Sequence, residues 1–174
     1  MEARDILIDG VDQMTEWLDN AIKDLNDEQA NFLPGGMTTS IGFNVWHVAR
    51  TADNITNFVM QDRKPPLWLS SGYVERLGLP KVDQGTGMDP NDAYSMTFPE
   101  PAEFSRYTTA VHDAVVPRIA AMSDAYLAEV QTIRPWGPIP RMEAILHGLI
   151  GHGNGHLGRA SFGRTLYGLE GLPY

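Results

Sequence analysis

The residues able to do chemistry in this chain are its histidines: His47, His112, His147, His152 and His156. His152 and His156 stand four apart, so on a helix their rings share one face, one turn apart. On a wheel drawn at about 100° per residue, Ile145, Leu149, Ala160, Gly163 and Tyr167 lie on that same apolar face. His147 falls on the opposite face, with Glu143, Asn154, Ser161 and Thr165. Two inward imidazoles are costly to bury unless something satisfies their nitrogens. A divalent metal ion does so, and neutral imidazole is its commonest protein ligand. The plainer alternative is a pair of hydrogen-bonded core histidines. Catalytic zinc takes at least three protein ligands, so a third is required. His47 is the best candidate, on the flank of an earlier apolar stripe with Asn44, Thr51 and Phe58. His112 sits further off the centre of its stripe.

These side chains need helices to position them. Leu7, Val11, Met14, Leu18, Ala21 and Leu25 step by four and three, predicting a helix over 4–26. Thr38, Thr39 and Ser40 offer N-caps for a second, about 40–61, which Pro65-Pro66 must end. Residues 62–99 are rich in proline and glycine and predict a long crossover, with at most one short turn near 73–77. Phe104, Thr108, Val111, Val115, Ile119 and Met122 mark a third helix over 101–122, with Pro117 expected to kink it. Ser123-Asp124 caps a short extra turn before Pro135, Gly137, Pro138 and Pro140 break the chain. The fourth helix runs over 140–168. No run of alternating β-branched residues predicts a strand. The expected fold class is all-α: one domain spanning 1–174, a four-helix bundle with the long crossover between helices 2 and 3.

Composition narrows the function. The 174 residues include no cysteine, which excludes a thiol nucleophile or thiolate ligand supplied by the chain. Lys and Arg number 13 against 22 Asp and Glu, a net charge of −9. Such a surface repels phosphate backbones and anionic lipid, so neither nucleic acid nor membrane is an expected partner. The N-terminal residues lack a signal-peptide pattern and no stretch is apolar enough to span a bilayer, so the expected compartment is the cytoplasm.

Two motifs and the layout resemble the DinB superfamily of small metal-binding helical bundles. The first motif is Ser40-Ile41-Gly42-Phe43-Asn44-Val45-Trp46-His47-Val48-Ala49-Arg50-Thr51-Ala52-Asp53, similar to the family's second-helix histidine with its Trp-His and following Asp. The second is His152-Gly153-Asn154-Gly155-His156-Leu157-Gly158-Arg159, similar to the family's C-terminal HxxxHxG. The resemblance covers essentially the whole chain. It implies one divalent metal on His47, His152 and His156, with an open coordination face. Zinc is the expected ion, with nickel, iron and manganese as alternatives. Relatives include mycothiol-dependent maleylpyruvate isomerase and bacillithiol transferases, so the resemblance implies a low-molecular-weight thiol as co-reactant. Gly158-Arg159 departs from the family's frequent Gly-Gln, which bears on the substrate rather than the metal.

The expected activity is therefore a metal-dependent, thiol-dependent S-transfer onto a small electrophile. The alternatives are a hydrolase using metal-activated water and a non-catalytic metal- or ligand-binding protein. Arg159, three residues after His156, is the candidate catalytic group for orienting a carboxylate. Asn44 and Thr51, one turn either side of His47, are candidate supporting or pocket residues. Trp46, Trp68, Tyr73 and Trp136 are candidates to roof a pocket. Asp53 points away from His47 by the wheel and is no ligand. Gly148, Gly151, Gly155 and Gly158 form a smooth stripe beside the histidines. Its expected partner is a helix of the same bundle, or else a second copy of the chain in a homodimer.

Overall fold

The computed structural model describes residues 3–173. It is mostly helical, and among the described residues no helix is long and apolar enough to cross a membrane. Helix α1 (Ala3–Ile22) buries the expected stripe of Leu7, Val11, Met14, Leu18 and Ala21. It stops short of the predicted end because Asn26 starts a new turn, α2 (Asp27–Ala30). Asn26 Oδ1 accepts from Gln29 N while Gln29 Oε1 accepts from Asn26 N, a reciprocal cap. Helix α3 (Ile41–Asp53) begins at Ser40, whose Oγ accepts from Phe43 N at 3.1 Å. It widens into a π-helical segment over Asn54–Val59.

The crossover holds three short helices rather than the single turn expected: α4 (Leu67–Ser70), α5 (Tyr73–Leu77) and α6 (Pro90–Ser95). Local caps account for two of them. Asp89 Oδ1 accepts from Asn91 N at the start of α6, and Asp53 accepts from Leu67 N and Trp68 N at the start of α4. The far end of the crossover lies across α3, where a Cβ on Gly42 would stand 2.7 Å from the Phe98 ring.

Helix α7 (Pro101–Ala120) carries Pro101 in its first turn and Pro117 near its end. Ser123 caps α8 (Asp124–Ala128), as expected. The expectation of no strand is overturned by a short hairpin. Val130–Ile133 (β1) pairs antiparallel with Gly137–Pro140 (β2), in register from Val130 opposite Pro140 to Ile133 opposite Gly137. The residues read as a chain break form the hairpin turn and its second strand. The last helical rod starts as α9 (Arg141–Ala144), widens to a π-helical segment over Ile145–Gly151, and continues as α10 (His152–Tyr167).

Helix α1 packs along α7 and against α3 and α10, and α3 also packs along α10 and α7. The core between them holds Val11, Met14, Leu18, Val45, Trp46, Val111 and Leu157. Polar ties fasten the ends. Arg164 pairs bidentately with Asp24 at 2.8 and 2.9 Å, joining α10 to the chain just after α1. Ser161, placed outward by the wheel, is covered by the C-terminal segment, and its Oγ accepts from Leu172 N.

Candidate metal centre

Helix α3 supplies His47 and α10 supplies His152 and His156. These three offer ring nitrogens that all lie within 4.8 Å of one another. His47 Nε2 stands 2.9 Å from His152 Nε2. Residues 47 and 152 meet because α3 and α10 pack along each other; the 152–156 pair is the i, i+4 relation within α10.

The neighbouring hydrogen bonds set which nitrogen is free. His47 Nδ1 lies 2.5 Å from the backbone carbonyl of Gln84. A carbonyl only accepts, so Nδ1 carries the proton and Nε2 presents its lone pair to the cluster. His156 Nδ1 lies 2.8 Å from Asn44 Oδ1. The Asn44 amide nitrogen already donates toward the Ser40 carbonyl at 2.8 Å and Thr39 Oγ1 at 3.0 Å, which fixes the oxygen as the acceptor. His156 Nε2 is thereby left free. Each outer bond selects a tautomer and a ring orientation, as the supporting partners of metal-bound histidines do. His152 Nδ1 is buried without a hydrogen bond of ordinary geometry, though the Gly148 backbone still favours its protonation.

All three rings are held neutral. Burial lowers the pKa of His47, opposed by the Gln84 carbonyl. Burial, then the charge His47 would carry, lowers His152 to about 4. Burial, then repulsion from His47 and His152, lowers His156 to about 3. Arg159 adds to the depression at all three. Neutral, converging lone pairs with fixed tautomers suit a divalent cation: the donor set fits the metal that the sequence implies.

The remaining sequence candidates divide. Asn44 supports His156, as described. Thr51 is buried, bonds back to the His47 carbonyl at 2.7 Å, and lines a cavity beside His152. Arg159 is exposed and lines no part of that cavity. His147 is exposed. His112 turns toward α1, its Nε2 2.7 Å from Asp12 Oδ1, and takes no part in the cluster. Trp46, Trp68 and Tyr73 are core residues rather than a roof, and Trp136 alone of the four lines the cavity. The glycine stripe has no single helical partner. A Cβ on Gly148 would strike Trp136 at 2.8 Å, whereas one on Gly155 would meet open space.

Asp53 is a buried junction rather than a ligand. Its carboxylate accepts from Asn57 Nδ2, Leu67 N, Trp68 N and Tyr107 OH. It thus fastens the start of the crossover to α3 and α7.

The cavity has a volume of about 910 Å³, within the range of small-molecule sites. Ile55, Phe58 and Trp136 give it apolar walls, and Arg63 and Arg134 line it with charge. Sequence reasoning missed both arginines and Gln84. Gln84 acts at His47 through its main chain, and the arginines sit in turns that carry no periodic signal.

Residues 11–160 match the family model of the DinB superfamily. A crystal structure from Enterococcus faecalis, described as a conserved protein of locus, superposes with a TM-score of 0.79 at 23% identity. The match covers 95% of this chain and 97% of that one, and shows a shared fold. No curated protein matches the sequence. With the family model spanning most of its length, this chain belongs to the DinB superfamily.

Proposed function

We propose that this protein is a metal-dependent enzyme that transfers a small thiol onto an electrophilic substrate. Its four helical rods, α1, α3 with its π-helical extension, α7, and α9 through α10, are read as a four-helix bundle carrying one metal ion on His47, His152 and His156. The observation that carries the reading is the convergence of three neutral imidazoles, two with tautomers set by Gln84 and Asn44. Zinc is the expected ion. When bound by three neutral ligands it keeps its full +2 charge and lowers the pKa of a thiol beside it.

The chain has no cysteine, so the thiol comes from solution. The thiol proton passes to solvent, the sulfur forms a bond to the electrophilic carbon, and that carbon's bond to its leaving group breaks. Asn44 and Gln84 hold the rings in place through this step. The cavity walls exclude water from the nucleophile and position the substrate. Arg159, three residues after His156 on α10, stays the sequence's candidate for orienting a charged group, from an exposed position outside the cavity lining.

Elemental analysis of tag-free protein tests the metal. One ion per chain, lost in His47→Ala and His156→Ala, is expected. Wild-type protein that refuses zinc, nickel, iron and manganese overturns the reading. Turnover of an electrophile only with added thiol separates transfer from hydrolysis.

A further inference from the structure

The cavity beside His152 has a charge pattern opposite to that of the molecule. Acids outnumber bases by 22 to 13 in the chain, yet no Asp or Glu lines this cavity, while Arg63 and Arg134 do. Neither arginine has an ion-pair partner among the described residues. Asp83, between the lining residues Val82 and Gln84, pairs with neither arginine; its Oδ1 accepts from Gly85 N at 2.7 Å and its charge reaches His47.

Both arginines are held by ordered backbone. Asp62 and Arg63 are consecutive non-glycine residues in the left-handed region, with φ of 50° and 61°. Arg63 N closes that turn onto the Phe58 carbonyl at 2.9 Å, and its guanidinium lies 5.8 Å from the Phe58 ring centroid. Arg134 sits in the turn between β1 and β2. The first turn follows the π-helical extension of α3, and the second belongs to the hairpin ahead of α9. Two separate elements therefore bring a planar, permanently charged fork to one cavity. Two cations without ion-pair partners, on a lining that holds no carboxylate, raise the local positive potential and favour an anionic occupant.

We infer that this cavity binds a small organic anion, its carboxylate or phosphate group held by Arg63 and Arg134 and its apolar body set against Phe58, Ile55 and Trp136. This rests on the reading of His152 as part of the catalytic centre, and it names the substrate class of that centre as anionic.

The test uses three probes of one shape on chelator-treated and metal-loaded protein: benzoate, phenyl phosphate and neutral benzamide. Calorimetry should show saturable binding of at least one anion, about ten-fold or more tighter than benzamide. Comparing the two anions names the head group. Arg63→Gln and Arg134→Gln should each weaken the preferred anion about ten-fold, and the double variant should abolish the preference for anions. Lys23→Gln, which removes the same charge far from the cavity, should leave binding unchanged, and circular dichroism should show all variants folded. Equal affinity for benzamide, absence of binding by both anions, or undiminished anion binding in the double variant would overturn the inference. Binding by chelator-treated protein is scored independently of the metal. A protein that takes up no metal but grips benzoate through both arginines keeps this inference and loses the catalytic one.

Discussion

The backbone carbonyl of Gln84 lies 2.5 Å from His47 Nδ1, so a segment of the crossover decides which nitrogen of an α3 histidine faces the cluster. The next residue makes this approach feasible. Gly85 has φ +90°, and a Cβ there would stand 2.9 Å from the Phe43 ring and 3.1 Å from His47 Nδ1. Gly85→Ala is expected to lower metal affinity about ten-fold or more and stability by about 1–3 kcal/mol. Gln84→Ala keeps the carbonyl and should leave affinity nearly unchanged. Chelator competition and thermal melts of the two variants check the contrast.

Asn44→Leu removes the acceptor for His156 Nδ1 and frees that ring's tautomer. Metal affinity should fall about 10- to 100-fold with one-to-one stoichiometry retained at saturation. Competition against a chromophoric chelator measures it. Unchanged affinity would mean that the amide does not orient the ring.

Asp53→Asn puts an amide where a buried carboxylate accepts from four donors. One oxygen is lost and an N–H faces a donor, so a stability loss of about 3 kcal/mol is expected. Denaturant midpoints give the value. The loss should carry through to the crossover, with faster amide exchange at Leu67 and Trp68.

The helix surfaces hold a pH response distinct from the metal centre. Burial lowers the pKa of His112, but hydrogen bonds to Asp12 and Asp113 outweigh it, and the net shift is upward. A base with a raised folded pKa contributes stability that is full below its ordinary value of 6.5 and is lost as pH rises through the folded value. The stability difference between the wild type and His112→Asn should therefore shrink as pH rises above about 6.5, while the buried histidines of the cluster, with lowered pKa values, give the same slope in both proteins. Asp24 behaves oppositely. The Arg164 hydrogen bond lowers its pKa, so its contribution is present above 3.8 and is lost as pH falls through the folded value. Asp24→Asn should make the acid limb less steep below about pH 4, leaving the loss due to the buried histidines in place. Melting temperatures from pH 3 to 9 check both.

Gly148→Ala exchanges a poor helix former for a good one, about 0.8–1 kcal/mol in favour by propensity alone. The new Cβ would stand 2.8 Å from Trp136 Cη2. Trp136 should be pushed from its place in the cavity wall, giving a shift in tryptophan fluorescence and no net gain in melting temperature.

The helical rods and the meeting of His47 with His152 and His156 were legible because both rest on the 3.6-residue period. Asn44 was legible for the same reason, one turn from His47. Gln84 was not, because a main-chain carbonyl is the same in every residue. The hairpin was hidden by its shortness and by Pro138 and Pro140 in β2. The wheel also assumes a uniform helix, whereas Asn54–Val59 and Ile145–Gly151 widen by one hydrogen-bond step, the first of them along the cavity wall. Arg159 drew attention by its spacing from His156, while the cavity's own arginines lie where no spacing rule applies.

The 37-residue separation of Gln84 from His47, against 105 for His152 from His47, bears on the order of assembly. A chain growing from its N-terminus can settle the tautomer of His47 before the second ligand is synthesised. On that order the crossover would preset one half of the centre and docking of α10 would complete it. A metal ion trapped between the halves would close a long loop of the chain and act as a reversible staple, so that uptake reports on a finished fold rather than on a local one.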